Sequence, residues 1–284
     1  VKLSIIIAHY TPTPDHPCIV AVTRTMAELA HQCRGLDAEV IICDDGSPIN
    51  SRHLKEQIPL TLPDGRWLYD LTGAAAKTVA AERFPALALP PVSHWLYLKK
   101  TRPCSSKARL WNHATELARS ENLVFFDDDN YLNQPNGLNQ FSRLLHNYRV
   151  VFGQVIDRRG RARGYASHRV QGTTFGIKKP VLQSIRGFGE WTEAVSSGID
   201  SDLWFKLYQA LKAQRPFQAA YTDSIQTTDA CSKRWKPFVG SFFRHRAVRR
   251  QFAAVHGCPD YRDSRHNPSR NKSLWMDNLT QPAH

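Results

Sequence analysis

The chain has 284 residues, 42% of them hydrophobic, enough to bury a substantial core in one large α/β domain or two modest ones and too apolar for a disordered protein. No run approaches the ~18 apolar residues that a membrane span requires, and the first residues lack the basic region and cleavage site of a signal peptide, so a soluble or peripheral protein is expected. The formal net charge of +13 favours a polyanionic partner: nucleic acid, a phosphate-bearing substrate or an anionic membrane surface.

Residues 3–8 are a β-rich apolar run that stops at His9, Tyr10 and Thr11, before a turn containing Pro12 and Pro14. From about 17 to 33, Ile19, Val22, Met26, Leu29 and Cys33 recur at spacings of three and four, which predicts a helix with one buried face, started by Asp15 and Pro17. Residues 39–43 form a second buried strand, closed by Asp44-Asp45-Gly46-Ser47-Pro48, and strand, helix, strand at this spacing predicts a βαβ unit with a parallel sheet. Residues 49–95 read as an insertion, with a short helix near Ala74 to Ala81 and a proline-rich passage at 84–91. A strand is expected at 95–98, followed by positive charge from Lys99, Lys100 and Arg102. Ser105 or Ser106 can then cap a helix to about Arg119, whose face comprises Leu110, Trp111, Ala114, Leu117 and Ala118.

Residues 122–126 are a short apolar run ending in three carboxylates, Asp127, Asp128 and Asp129. In α/β sheets ligands sit at the carboxyl ends of such strands, although the aspartates could also simply terminate the strand and cap the next element. A helix at 138–148 and a strand at 150–152 come next. The segment 157–169, with Arg158, Arg159, Arg161, Arg163, His168 and Arg169, predicts a mobile basic loop, either a solvated hairpin or substrate-facing. Residues 172–177 lead into a helix from Pro180, Gly187 to Glu190 form a turn, and Asp200 falls at the start of a helix carrying Leu203, Phe205, Leu207, Tyr208 and Leu211. There the backbone NH groups and macrodipole favour an ionised carboxylate.

Beyond residue 226 the composition shifts: Lys233, Arg234, Trp235 and Lys236 lead into 238–255, where Phe242, Phe243, Val248 and Phe252 are mixed with Arg244, Arg246, Arg249 and Arg250. This segment either rests on anionic lipid or packs on the domain. The tail after Gly257 is polar and expected to be poorly packed, with Trp275 and Met276 as its main apolar pair. Six cysteines without a CxxC pair suggest reduced thiols, a cytoplasmic setting and no structural zinc.

Acids thus stand at three places, Asp44-Asp45, Asp127 to Asp129, and Asp200, an arrangement suited to a nucleotide diphosphate held with Mn²⁺ or Mg²⁺. In order, residues 4–10 with Tyr10, the strand ending in Asp44-Asp45-Gly46-Ser47, Ala108-Arg109 through Asn112, Asp127 to Asp129 in a DxD position, and Gly187 to Glu190 followed by Gly198-Ile199-Asp200 resemble the family 2 glycosyltransferases, inverting enzymes of the GT-A fold. The resemblance covers most of 1–225 and implies a Rossmann-like, mainly parallel mixed sheet flanked by helices, with a nucleotide-sugar-binding half at 1–135, an acceptor-binding half at 136–225 and a basic helical extension at 226–284.

By that resemblance Tyr10 stacks on the base, Asp45 with Asp44 beside it contacts base or ribose, and Arg109 supports nucleotide and carboxylates. Ala8, Asp127 and Asp128 lie on the nucleotide side, Asp129 binds the metal, Asp200 is the general base, and Thr173, Trp191 and Asp202 lie on the acceptor side. Ala8 and Thr11 replace the usual proline and asparagine, and Ile199 the usual glutamate; no histidine follows the base, leaving Asp229, His245 or His256 as substitute ligands. The implied activity is transfer of a sugar, a hexose or N-acetylhexosamine, from a nucleotide diphosphate, expected to be UDP, to a glycan or lipid-linked acceptor in surface polysaccharide assembly. Two rivals are a nucleotidyltransferase, which lacks its glycine-rich basic loop here, and a nucleic-acid-binding protein, which has the charge but no recognised motif.

Overall fold

The structure is a computed structural model that describes residues 1–85, 88–101, 104–230 and 241–280, the side chains of 241 and 242 excepted. Its elements are, in order, β1 (Leu3–His9), α1 (Ile19–Gln32), β2 (Ala38–Asp44), α2 (Arg52–Lys55), β3 (Leu60–Thr61), β4 (Trp67–Thr72), α3 (Gly73–Arg83), β5 (Val92–Leu98), α4 (Lys107–Leu117), β6 (Asn122–Asp127) and β7 (Asn130–Leu132). There follow α5 (Gly137–Asn147), β8 (Val150–Ile156), β9 (Phe175–Lys178), α6 (Lys179–Ser184), α7 (Thr192–Val195), α8 (Ile199–Leu211), β10 (Ala219–Asp229) and α9 (Ser241–His256). Two 3₁₀ turns (Pro268–Arg270, Lys272–Leu274) and β11 (Met276–Asn278) complete the chain.

One sheet runs β11-β10-β8-β9-β6-β1-β2-β5-β4-β3, with β7 on β10. Central β1 is parallel to β2 and β6, and β2 to β5, whereas β9 is antiparallel to both β6 and β8. Side chains alternate between two cores, as a period of two requires. Ile5, Ile7, Val40, Ile42, Val124 and Phe126 pack with apolar residues of α1, α3 and α5; Ile6, Ile41, Cys43, Leu123 and Phe125 pack with those of α4 and α8. Burial on both faces explains why these strands read as unbroken apolar runs. The register sets Ala8 beside Cys43 on one flank and beside Asp127 on the other, so the carboxyl ends of β1, β2 and β6 open on one edge.

Several expectations change. Residues 49–95 are part of the sheet rather than an insertion: β4 pairs antiparallel with β5 from Leu68 to Thr72 and extends it to β3. Ser106 precedes α4 without a side-chain capping bond, because its hydroxyl donates to Glu193 (2.8 Å). Loop 157–171 is pinned rather than free: the Tyr165 hydroxyl donates to the Met276 carbonyl (2.9 Å), and Arg163 pairs with Asp229 (3.1 Å).

The tail is not loosely packed. Trp275 and Met276 are buried in the same core as β8 and α8, and Asn267, Ser269 and Lys272 are buried too, the first two spent on local hydrogen bonds and Lys272 on the Ser167 carbonyl of loop 157–171. β10 crosses residue 225, and β11 adds to it in parallel. Of the basic aromatic segment, α9 buries Val248 and Phe252 against Phe205, Cys258 and Tyr261, while Phe243 stays exposed. Cys231, Lys233, Arg234, Trp235, Lys236 and Phe238, like Arg102 and the Phe242 side chain, lie outside the described residues. Among those described, five cysteines are buried, and no helix is long and apolar enough to cross a membrane.

The Trp275 indole donates to Ser269 (2.9 Å) and meets Phe152 and Trp204 edge-on. Trp275→Ala should therefore lower the unfolding free energy by about 3–5 kcal/mol in urea titration. A loss no larger than that of a typical surface substitution would contradict a core role for the tail.

Candidate active site

The open sheet edge bounds a cleft of about 260 Å³ lined by Ala8, His9, Tyr10, Asp45, Lys107 and Asp127 to Asp129, among others. Each carboxylate there is handled separately. Asp127 accepts from Lys107 (2.5 Å), and its backbone NH donates to the Thr173 hydroxyl (2.9 Å). Asp128 is turned inward, its Oδ2 2.7 Å from His9 Nδ1 and 3.3 Å from the Tyr10 NH. Asp129 lies beside Asn130, whose amide donates to its Oδ1 (3.2 Å). Asp45 holds Lys100 (3.0 Å) and the Ser106 NH (3.1 Å), and the Lys100 ammonium lies 4.5 Å from the centre of the Tyr10 ring.

Asp200 occupies the first turn of α8, after Gly198 in the left-handed conformation (φ 96°). A Cβ on Gly172 would fall 1.9 Å from Asp200 Oδ1, so the carboxylate lies directly on this glycine. Lys107 also reaches the Gly172 carbonyl (3.4 Å), which joins the Asp200 side to Asp127. Among the described residues the Asp200 carboxylate has no hydrogen bond or ion pair.

Other expected site residues are placed elsewhere. Asp44 is fully buried, accepting from the Ser47 NH (2.8 Å) and the Trp95 indole (3.2 Å); it closes the turn after β2 and does not line the cleft. Arg109 points away from the aspartate array to Glu190 (2.9 Å) and Glu193 (3.2 Å), and Lys107 is the cation of α4 that meets Asp127. Asp202 is fully buried rather than acceptor-facing. Its oxygens take the Gly189 NH (2.8 Å), the Trp191 indole (2.9 Å), Lys206 (2.9 Å) and His256 (2.9 Å), which makes it and Trp191 parts of the joint between α8 and α9. Thr173 is likewise buried, supporting Asp127.

His256, committed to Asp202, and His245, against Tyr261 (3.1 Å) and Arg262, are removed from the cleft as metal ligands, and Asp229 is paired with Arg163. His9, Lys107 and Gly172 join the site without having stood out in the sequence. A lysine at the first position of α4 opposes the helix macrodipole, a local signal that an acid lies nearby.

No group of three or more His, Cys, Asp or Glu among the described residues converges as a metal cage. Asp127 and Asp129 offer hard oxygens at the cleft. That fits Mg²⁺ or Mn²⁺, which take one or two carboxylates and complete their shell with water and substrate phosphate.

No family model matches the sequence, and no curated protein matches it significantly. Solved structures do align. TarS from S. aureus, residues 1-349 in complex with UDP-GlcNAc, gives a TM-score of 0.54 at 15% identity, over 97% of this chain and 74% of that one. The mannosyltransferase PcManGT from Pyrobaculum calidifontis, in complex with GDP-Man and Mn²⁺, gives 0.54 at 19% identity, over 96% and 68%. The fold is GT-A. Against a longer TarS structure the score is 0.51 at 16% identity, and the chain spans only 40% of that protein. The GT-A architecture agrees with the fold that the sequence resemblance implied.

Burial pushes the Asp127 carboxyl up to about 6 from 3.8; Lys107 pulls it back more strongly than Asp129 and Asp200 repel it, without cancelling the cost of burial. Ionisation therefore costs the folded state more than the unfolded one, and stability present below about pH 4 is lost as pH rises through about 6. Relative to wild type, Asp127→Asn should gain stability between pH 4 and 7 in paired urea titrations. A difference that is flat or opposite in slope would contradict this placement.

Proposed function

We propose that the chain is an inverting glycosyltransferase that moves a sugar from a nucleotide diphosphate, with UDP the expected nucleotide, to a hydroxyl of a glycan or lipid-linked glycan in surface polysaccharide assembly. The observation that carries this reading is the Asp200 carboxylate on Gly172, without a hydrogen bond or ion pair among the described residues, across Lys107 from the Asp127 to Asp129 array. The aligned structures hold UDP-GlcNAc in one case and GDP-Man with Mn²⁺ in the other, which supports a nucleotide-sugar donor. A hexose or N-acetylhexosamine is the expected sugar.

Tyr10 and Asp45 take the nucleoside end, beside Ala8, and Lys107 adds positive charge where a diphosphate would lie. Asp127 and Asp129 would hold Mn²⁺ or Mg²⁺, which supplies charge neutralisation for the departing diphosphate. Asp200 accepts the proton of the attacking hydroxyl as the new bond forms. A carboxylate is a weak base, but it needs to act only as the hydroxyl becomes acidic in the transition state. With the base on one face of the sugar and the diphosphate leaving from the other, one displacement inverts the anomeric centre.

We also propose cytoplasmic action at an anionic membrane surface. Support comes from the outer face of α9, where Phe243, Arg246 and Arg250 are exposed. Residues 1–135 would serve the donor and 136–225 the acceptor, with the C-terminal extension completing the core.

A thermal-shift panel of UDP, GDP, dTDP and CMP, with and without Mn²⁺, tests the reading together with Asp200→Asn. One diphosphate should stabilise both proteins in a metal-dependent way. Transfer by the variant should fall about 10²-fold or more. No response to any nucleotide, or full turnover by the variant, would refute it. Incorporation of a nucleotide rather than a sugar would instead favour a nucleotidyltransferase.

A further inference from the structure

The wall beside Asp200 is built from loop 157–171 and the tail, and cations of the tail clasp the loop. Arg270 donates from Nε to the Tyr261 carbonyl (2.9 Å) and from Nη1 to the His168 carbonyl (3.1 Å), while Lys272 donates to the neighbouring Ser167 carbonyl. The Pro268–Arg270 turn that carries this guanidinium packs on α8, the helix of Asp200.

Several cations nearby meet a carboxylate. Arg161 pairs with Asp157, Arg163 with Asp229, Arg249 with Asp260 and Arg265 with Asp263. Among the described residues Arg270 and Lys272 donate only to backbone carbonyls and form no ion pair; the Asp260 and Asp200 carboxylates act on Arg270 from beyond contact, and the Lys272 ammonium lies over the Trp204 and Tyr221 rings, both cations in partly or wholly buried positions. Burial still outweighs these influences, and a bound anion would offset its cost. Burial pushes the Arg270 guanidinium down, and burial and then Arg270 hold the Lys272 ammonium down to about 8. Towards solvent, His168 and Arg169 are exposed, and loop 157–169 carries five arginines against one aspartate.

We propose that the acceptor carries an oxyanion, a phosphate or carboxylate close to the reacting hydroxyl, and that Arg270 receives it beside Asp200. Two bonds to backbone carbonyls fix the guanidinium plane and leave Nη2 to donate. A preoriented, charge-assisted contact of this kind discriminates an anionic acceptor from its neutral analogue. The proposal rests on the transferase reading, since Asp200 defines where the hydroxyl must lie.

Glycerol 1-phosphate, methyl glucuronide and neutral methyl glucoside would be titrated by NMR, with UDP and Mn²⁺ filling the donor cleft and again without them. Wild type and Lys77→Gln, an equal charge change on exposed α3, should bind both anions in preference to the glucoside. Arg270→Gln should bind them about ten-fold more weakly. If that variant does not fold, Arg270→Lys carries the test, keeping the charge but not the fork, and should weaken binding several-fold. Equal affinity in wild type and the Arg270 variant, or no binding of either anion to wild type, would overturn the proposal. So would Arg270-dependent binding to phosphatidylglycerol vesicles when neither soluble anion binds, since that identifies a membrane contact. Failure of UDP and Mn²⁺ to bind defeats the transferase reading separately, because the anion titration is also run without them.

Discussion

Three consecutive carboxylates at the end of a buried strand repel one another, and the cleft is organised around keeping them apart. β6 ends at Asp127, and the turn that follows gives Asp128 and Asp129 different surroundings. Asp128 is absorbed by buried His9, Asp127 meets Lys107, and Asp129 lies beside Asn130. Neighbouring strands share the load, since Asp45 at the end of β2 is held by Lys100 and the Ser106 NH. Negative charge gathered on so small an edge favours a bound cation, and Lys107 and Lys100 keep the array from being purely acidic.

The second half of the chain supplies the acid on the other side of the cleft and the frame that fixes it. Asp200 depends on Gly172 for room, and α8 is anchored two residues later by Asp202, which burial alone would push up but which His256, Lys206 and Trp191 hold below the usual carboxylate range. His256 belongs to α9 and Arg270 to the tail. Residues beyond the end of the conventional sheet thus reach back to set Asp200 and the wall next to it.

Much of the frame was legible. β1, β2 and β6 are apolar runs because both faces are covered, and acids following such runs fall at the ligand-binding edge. The choice among adjacent residues was not legible, because one step along a strand reverses the direction of a side chain. Asp44 is the last residue of β2 and Asp45 the first of the bend after it, and only Asp45 reaches the cleft. Lys107 and Arg109 differ by two helical steps, about 200° around the axis, so the expected cation faces Glu190 and the unnoticed one faces Asp127. The tail misled for another reason. Asn267, Ser269 and Lys272 are buried through hydrogen bonds to nearby backbone and side chains, which hydropathy does not register. Nor could spacing pair Gly172 with Asp200, a contact made only by the fold.

Because the described chain offers carboxylates from one short segment and no cage of three ligands, cation and nucleotide should depend on each other. Mn²⁺ titration followed by electron paramagnetic resonance, with and without saturating UDP, tests this most directly. The account predicts weak binding of Mn²⁺ alone and much tighter binding once UDP is present, both lost in Asp129→Asn. Equal Mn²⁺ affinity with and without UDP, or affinity unaffected by that substitution, would contradict the assignment of this cleft to a metal-held nucleotide diphosphate.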